Sequence, residues 1–158
     1  MKKVIALFLA LTTSSLSFAM VPASPNAPVA KIETSSGFGP VSWVKTITID
    51  RTGRVLLTNS RDGQADELEI MTLSAEALDS LIETYYGINL EADLVDLDPR
   101  SEGCTDAPST TYSIVQSRTL AVLAEHRSCK TFLPANNAGS ETLRILRAIE
   151  DIANYVHK

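Results

Sequence analysis

The stretch Thr110-Thr-Tyr-Ser-Ile-Val-Gln-Ser-Arg-Thr-Leu-Ala-Val-Leu-Ala-Glu125 decides the fold. Two runs rich in β-branched and aromatic residues flank a polar centre, a pattern that predicts a β-hairpin. The hairpin lies between the only two cysteines, Cys104 and Cys129. Facing residues of an antiparallel pair keep a constant sum of residue numbers. A turn over Gln116-Ser117 or Ser117-Arg118 therefore sets the cysteines nearly opposite each other at the open end. A disulfide there would staple the pair, and closing a loop of that length predicts about 3.5 kcal/mol of stabilisation. Tyr112, Ile114, Leu120, Val122 and Ala124 are expected on one face, and Val115, Ala121 and Leu123 on the other. Apolar residues on both faces place this pair centrally in a sheet, covered at least in part on both sides.

Upstream, Val41–Asp50 alternates β-branched and polar residues and reads as a strand. Asp50-Arg-Thr-Gly53 is a tight turn, and Arg54–Asn59 returns. Glu67–Met71 is a short third strand whose outward glutamates suit an edge. Ser74 caps a helix with Leu78, Leu81, Ile82 and Tyr85 on one stripe, ended by Gly87. Ile88–Asp98 has no clear period. Downstream, Cys129–Gly139 reads as a loop. Ser140 then caps a helix with a broad apolar face, and Arg147 and Asp151 are spaced for an i,i+4 pair. The expectation is an α+β domain: an antiparallel sheet of about five strands in the order βββα-ββα, two helices on one face, and one disulfide.

The start of the chain reads as a signal peptide, residues 1–19. Lys2 and Lys3 precede the apolar run Val4–Leu11, and the polar stretch after it ends Ser17-Phe18-Ala19, with small residues at the positions signal peptidase reads. That run is too short to span a bilayer, and no other segment is apolar enough. Stable membrane insertion after cleavage is therefore not expected. Residues 20–38, with Pro22, Pro25 and Pro28, read as a disordered or linker arm. Residues 39–158 form one domain. Export predicts a periplasmic or secreted protein and pairs the two cysteines. The full chain of 158 residues carries a net charge of −5, and losing two lysines with the leader makes it more negative. Such a surface repels phosphate backbones, which excludes nucleic acid as a partner class.

Chemistry-bearing motifs are absent. There is no Gly-x-Ser-x-Gly elbow and no His-Glu-x-x-His helix, and the only histidines are His126 and His157. No catalytic residue, metal ligand or cofactor is assigned. Acids concentrate in the 91–106 segment, but their spacing matches no EF-hand loop. The candidate ligand or partner contacts are Asp93, Asp96, Asp98, Glu102, Asp106 and His126, beside the expected Cys104–Cys129 disulfide.

Four features carry a likeness: the Gly37-Phe-Gly-Pro40 opening, the hairpin Ile47–Val55, the approach Thr105–Ser113, and a long final helix. In these the chain resembles a family of small exported bacterial domains whose function is not assigned. The resemblance implies the architecture and no catalytic residues.

The expected function is an exported, non-enzymatic binding domain with a basic extracytoplasmic protein as partner. A specific form is an inhibitor of an extracytoplasmic hydrolase. The alternative is a small hydrolase, or a Ca²⁺-stabilised module, using the acidic 91–106 segment.

Overall fold

The hairpin forms in the middle of a sheet wider than expected. The structure, a computed structural model, describes residues 27–36, 42–87, 94–116, 119–135 and 137–156. The expected leader, the Gly37–Pro40 opening, the 117–118 turn, Asp93 and His157 lie outside them. In chain order the elements are β1 (Pro28–Ser35), β2 (Trp43–Asp50), β3 (Arg54–Arg61), β4 (Gln64–Thr72) and α1 (Ala75–Gly87), then β5 (Leu94–Asp96), β6 (Ser109–Gln116), β7 (Thr119–Arg127), β8 (Lys130–Pro134) and α2 (Asn137–Val156). The strands make one antiparallel sheet of eight, ordered β4-β3-β2-β1-β6-β7-β8-β5.

Eight strands replace the expected five, and each added strand has a physical reason. The stretch read as an arm contains β1, a central strand paired with β2 on one side and β6 on the other. Pro28 stands at its first position, where a missing N–H does least harm. Ala30 and Ile32 face the core while Lys31 and Glu33 alternate with them and pair with each other. The loop assigned to Cys129–Gly139 contains β8, returned from β7 by a two-residue turn. Its central residues, Ser128 and Cys129, have φ of 49° and 60°. Such a turn suits hairpin twist but usually carries Asn-Gly, so neither residue type announces it. β5 is only three residues long, too short for a period to show. α2 begins at Asn137, before the expected Ser140 cap.

The register gathers one dry face. Ile32 sits opposite Ile47 and Tyr112, Ile47 opposite Leu57, and Ala30 opposite Ile49 and Ile114. These residues form one core with Leu81 of α1 and with Leu143, Leu146, Ile149 and Ala153 of α2. Both helices therefore pack on that face, as expected. Ser74 caps α1 as read, its Oγ accepting from the Ala77 amide at 3.2 Å.

The two faces of the hairpin differ from expectation. The ladder shifts between Tyr112 and Ser113, so Tyr112 faces Ala124, Ser113 faces Val122 and Leu123 is the extra residue. This bulge turns both Leu123 and Ala124 inward, at 0% and 1% exposure, and leaves Val122 at 41%. The face of Val122 is not packed under the helices, so the hairpin is central but covered on one side.

The β2–β3 turn closes on Asp50, which is 2% exposed. Its Oδ1 accepts from the Thr52 amide, the Thr52 hydroxyl and the Arg54 amide at 2.8, 2.6 and 3.1 Å. Oδ2 is buried without a partner. Burial acts to raise the Asp50 pKa, but the Thr52 and Arg54 hydrogen bonds and the Arg54 charge outweigh it and hold it below 3.8.

Two outcomes follow from this packing. Ile32→Ala should cost about 2–5 kcal/mol in urea unfolding, as a central core truncation. Leu68→Ala on the edge strand β4, half exposed, should cost about 1 kcal/mol or less. For Asp50 the folded pKa lies below the unfolded one. Its contribution is thus in place above pH 3.8 and is lost as pH falls through the folded value. Asp50→Asn should be less stable at neutral pH by about 1–3 kcal/mol, and the gap to the parent chain should narrow below pH 3.8.

Candidate functional site

The disulfide ties down a loop. Cys104 and Cys129 are bonded, with Cα atoms 5.5 Å apart. Cys129 lies in the β7–β8 turn rather than on the β7 ladder. The bridge therefore clamps the 97–108 loop onto that turn, beyond the Thr110–His126 end of the β6–β7 ladder and so at the open end of the hairpin, as expected. The Cys104 amide donates to the Ser128 carbonyl at 2.8 Å beside it. Gly103, at φ 78°, makes the close approach possible, because a Cβ there would lie 2.8 Å from the same carbonyl oxygen.

The loop is held at further points. Lys130 Nζ pairs with Asp96 Oδ2 at 3.1 Å, and the Asp98 amide donates to Asp96 Oδ1 at 2.9 Å. The Asp98 amide chiefly, with help from Lys130 and against burial, holds the Asp96 carboxyl below the usual range. The Leu97 amide donates to the Thr131 carbonyl at 3.0 Å. Asp96 is thus a fastening, while Asp98, Glu102 and Asp106 are exposed. Among the described residues no three acids, histidines or cysteines gather as a metal would require. On this rigid loop and on β5, Leu94, Val95 and Leu97 are 38%, 48% and 59% exposed.

His126 belongs to a different place. It faces Thr110 and Thr131 across the ladders, and its Nδ1 lies 2.9 Å from Thr131 Oγ1. With Thr110, Tyr112, Phe132, Leu133 and Arg147 it lines a cleft of about 230 Å³ between α2 and strands β6–β8. The Tyr112 hydroxyl donates to Glu150 Oε2 at 2.6 Å. Burial first, then the Glu150 carboxylate, push the tyrosine pKa well up, with Arg147 pulling the other way. Tyr112 therefore stays a protonated donor that pins α2 to the sheet. Arg147, one turn earlier on α2, lies with its guanidinium 6.0 Å from the Tyr112 ring centre.

The expected Arg147–Asp151 ion pair is not among the salt bridges of the described residues. A second cleft, of about 410 Å³, continues along α2 and shares Leu133 and Arg147 with the first. Sequence reading missed Arg147, Thr110 and Thr131 as companions of His126. Recognising Lys130–Pro134 as a strand would have placed Thr131 beside it.

No protein-family model matches the chain, and no curated protein matches it significantly. No helix among the described residues is long and apolar enough to cross a membrane.

Replacing both cysteines by serine should lower stability by about 3 kcal/mol. Gly103→Ala should cost about 1–3 kcal/mol through left-handed strain and the approach to Ser128. Urea unfolding checks both. Hydrogen exchange should rise first in the 94–108 loop and β8.

Proposed function

We propose that this chain is an exported, non-enzymatic interaction domain that binds a basic extracytoplasmic protein, in its specific form a cationic hydrolase that it inhibits. One observation carries the reading: a covalently anchored loop presents Leu94, Val95 and Leu97 to solvent beside Asp98, Glu102 and Asp106. Large exposed apolar side chains with a polar rim mark interaction surfaces. Anchoring by the disulfide and by Lys130–Asp96 lowers the ordering cost on binding. The acids supply attraction toward a cationic partner and speed encounter. The disulfide and the leader-like start of the sequence support an oxidising compartment, periplasmic or external.

The test is binding to a panel of cationic lysozyme-type hydrolases at low salt, with their activity followed. The Asp98→Asn, Glu102→Gln, Asp106→Asn variant should associate about tenfold more slowly or worse. The Val95→Ser, Leu97→Ser variant should dissociate faster, because interface truncations act mainly on the off-rate. Absence of retention or inhibition of any panel member by the parent chain overturns the proposal.

A further inference from the structure

We infer that the paired clefts along α2 bind a monocarboxylate carrying an apolar chain, with the carboxylate at Arg147 and the chain in the larger cleft. This site is separate from the 94–106 surface and does not rest on the partner proposed for it.

Arg147 is the centre of the argument. Its planar guanidinium has donors and no acceptor. It makes no ion pair among the described residues; it lies over the Tyr112 ring and acts on the Tyr112 hydroxyl through its charge and a hydrogen bond, which leaves the other donors of the fork for a ligand. Its place on α2 is one turn before Glu150, which is bound to Tyr112, and its side chain is exposed to solvent. Thr110, Thr131 and His126 line the same smaller cleft, the Thr110 hydroxyl lying 3.1 Å from Thr34 Oγ1. His126 Nδ1 is occupied by Thr131, while Nε2 has no partner among the described residues. A planar cation able to bind bidentately, with hydroxyl and imidazole groups in the same cleft, matches a carboxylate.

Of the neighbouring acids, Glu150 is bound to the Tyr112 hydroxyl on which Arg147 also acts. Glu125, at the same cleft, pairs with Arg127 at 3.4 Å, and Arg144 pairs with Glu141. Asp151 stands at the larger cleft, which disfavours a second carboxylate on the ligand.

The volumes set the rest. About 230 Å³ suits a small polar group and little more. Half of the residues lining the adjoining 410 Å³ are apolar, Leu133, Pro134, Leu143 and Ala148, and the rest are polar or charged; the apolar part suits an aliphatic chain or an apolar side chain. Two sources share this chemistry: a fatty acid and the C-terminus of a peptide ending in apolar residues.

The experiment titrates the mature chain, disulfide intact, with octanoate, octanamide and N-acetyl-Leu-Leu at physiological ionic strength. Amide NMR shifts of Thr131–Leu133 and Arg147–Ala148 are followed. Octanoate, the peptide acid or both should give saturable shifts there, and whichever binds tighter identifies the source. Octanamide should bind about tenfold more weakly than octanoate, as should octanoate to Arg147→Met, since a hydrogen bond to a charged group is lost. Arg51→Met, in the β2–β3 turn, should bind as the parent does.

Equal binding of octanoate and octanamide overturns the inference, as does an absence of saturable shifts with both acids. Should Arg147→Met unfold, Arg147→Lys replaces it. Lysine keeps the charge without the planar fork, so unchanged octanoate affinity in that variant counts against bidentate recognition.

Discussion

β1 holds the sheet together. β2, β3 and β4 are joined by short turns, and so are β6, β7 and β8, but each set alone is a three-stranded meander with an open edge. β1 supplies hydrogen bonds to both sets at once. The ladder to β6 joins residues such as Thr34 and Thr110, 76 apart in the chain, with hydroxyls 3.1 Å from each other. A contact that distant carries a loop-closure cost that local turns do not. Burial of Ile32 against Ile47 and Tyr112 is what offsets it, because both neighbouring strands depend on that one side chain for a dry centre. The helices then cover a surface that is continuous from β3 to β7.

The second constraint is local. The β7–β8 turn puts two residues with side chains into left-handed conformations, an arrangement that glycine or asparagine usually occupies. It persists because the surroundings over-determine it: a covalent bond to Cys104, the Cys104 amide on the Ser128 carbonyl, and three ladder pairs behind it. The outcome reaches beyond the turn. β8 carries Thr131, Phe132 and Leu133 into the smaller cleft, and Leu133 and Pro134 into the larger. It also carries β5 on its outer side. One clamp thus sets both the 94–108 surface and the clefts along α2.

Much of the fold was legible where the chemistry is local. The Asp50–Gly53 turn, the Ser74 cap, the edge character of β4 and the pairing of the two cysteines all follow from residue types at fixed offsets. What stayed hidden is non-local or atypical. β1 has a period of two over only a few residues, among prolines that point to an arm, and its strand character comes from neighbours far along the chain. β8 sits behind a turn with no glycine or asparagine. The bulge at Leu123 reverses the inside and outside of half a strand, and no single residue there signals it. The candidate site was half legible for the same reason. His126 stood out as one of two histidines, whereas its companions are brought to it by β8 and α2, one of them unrecognised and the other packed by tertiary contacts. The acids of 91–106 stood out by composition, yet composition could not show that Asp96 is spent on Lys130 and the Asp98 amide.

The balance of charge at α2 follows from a single buried hydroxyl. Tyr112 is 8% exposed, and a buried hydroxyl is costly without a partner. Glu150 meets that need, which holds its carboxylate at the sheet. A chain with a net charge of −5 thus sets one of its cations, Arg147, against the ring and hydroxyl of Tyr112. The two scales do not conflict. The excess acids act over distance and are screened within about 8–10 Å at physiological salt, whereas contact with a guanidinium is screened far less. Added salt should then weaken the general repulsion of an anion more than it weakens the contact.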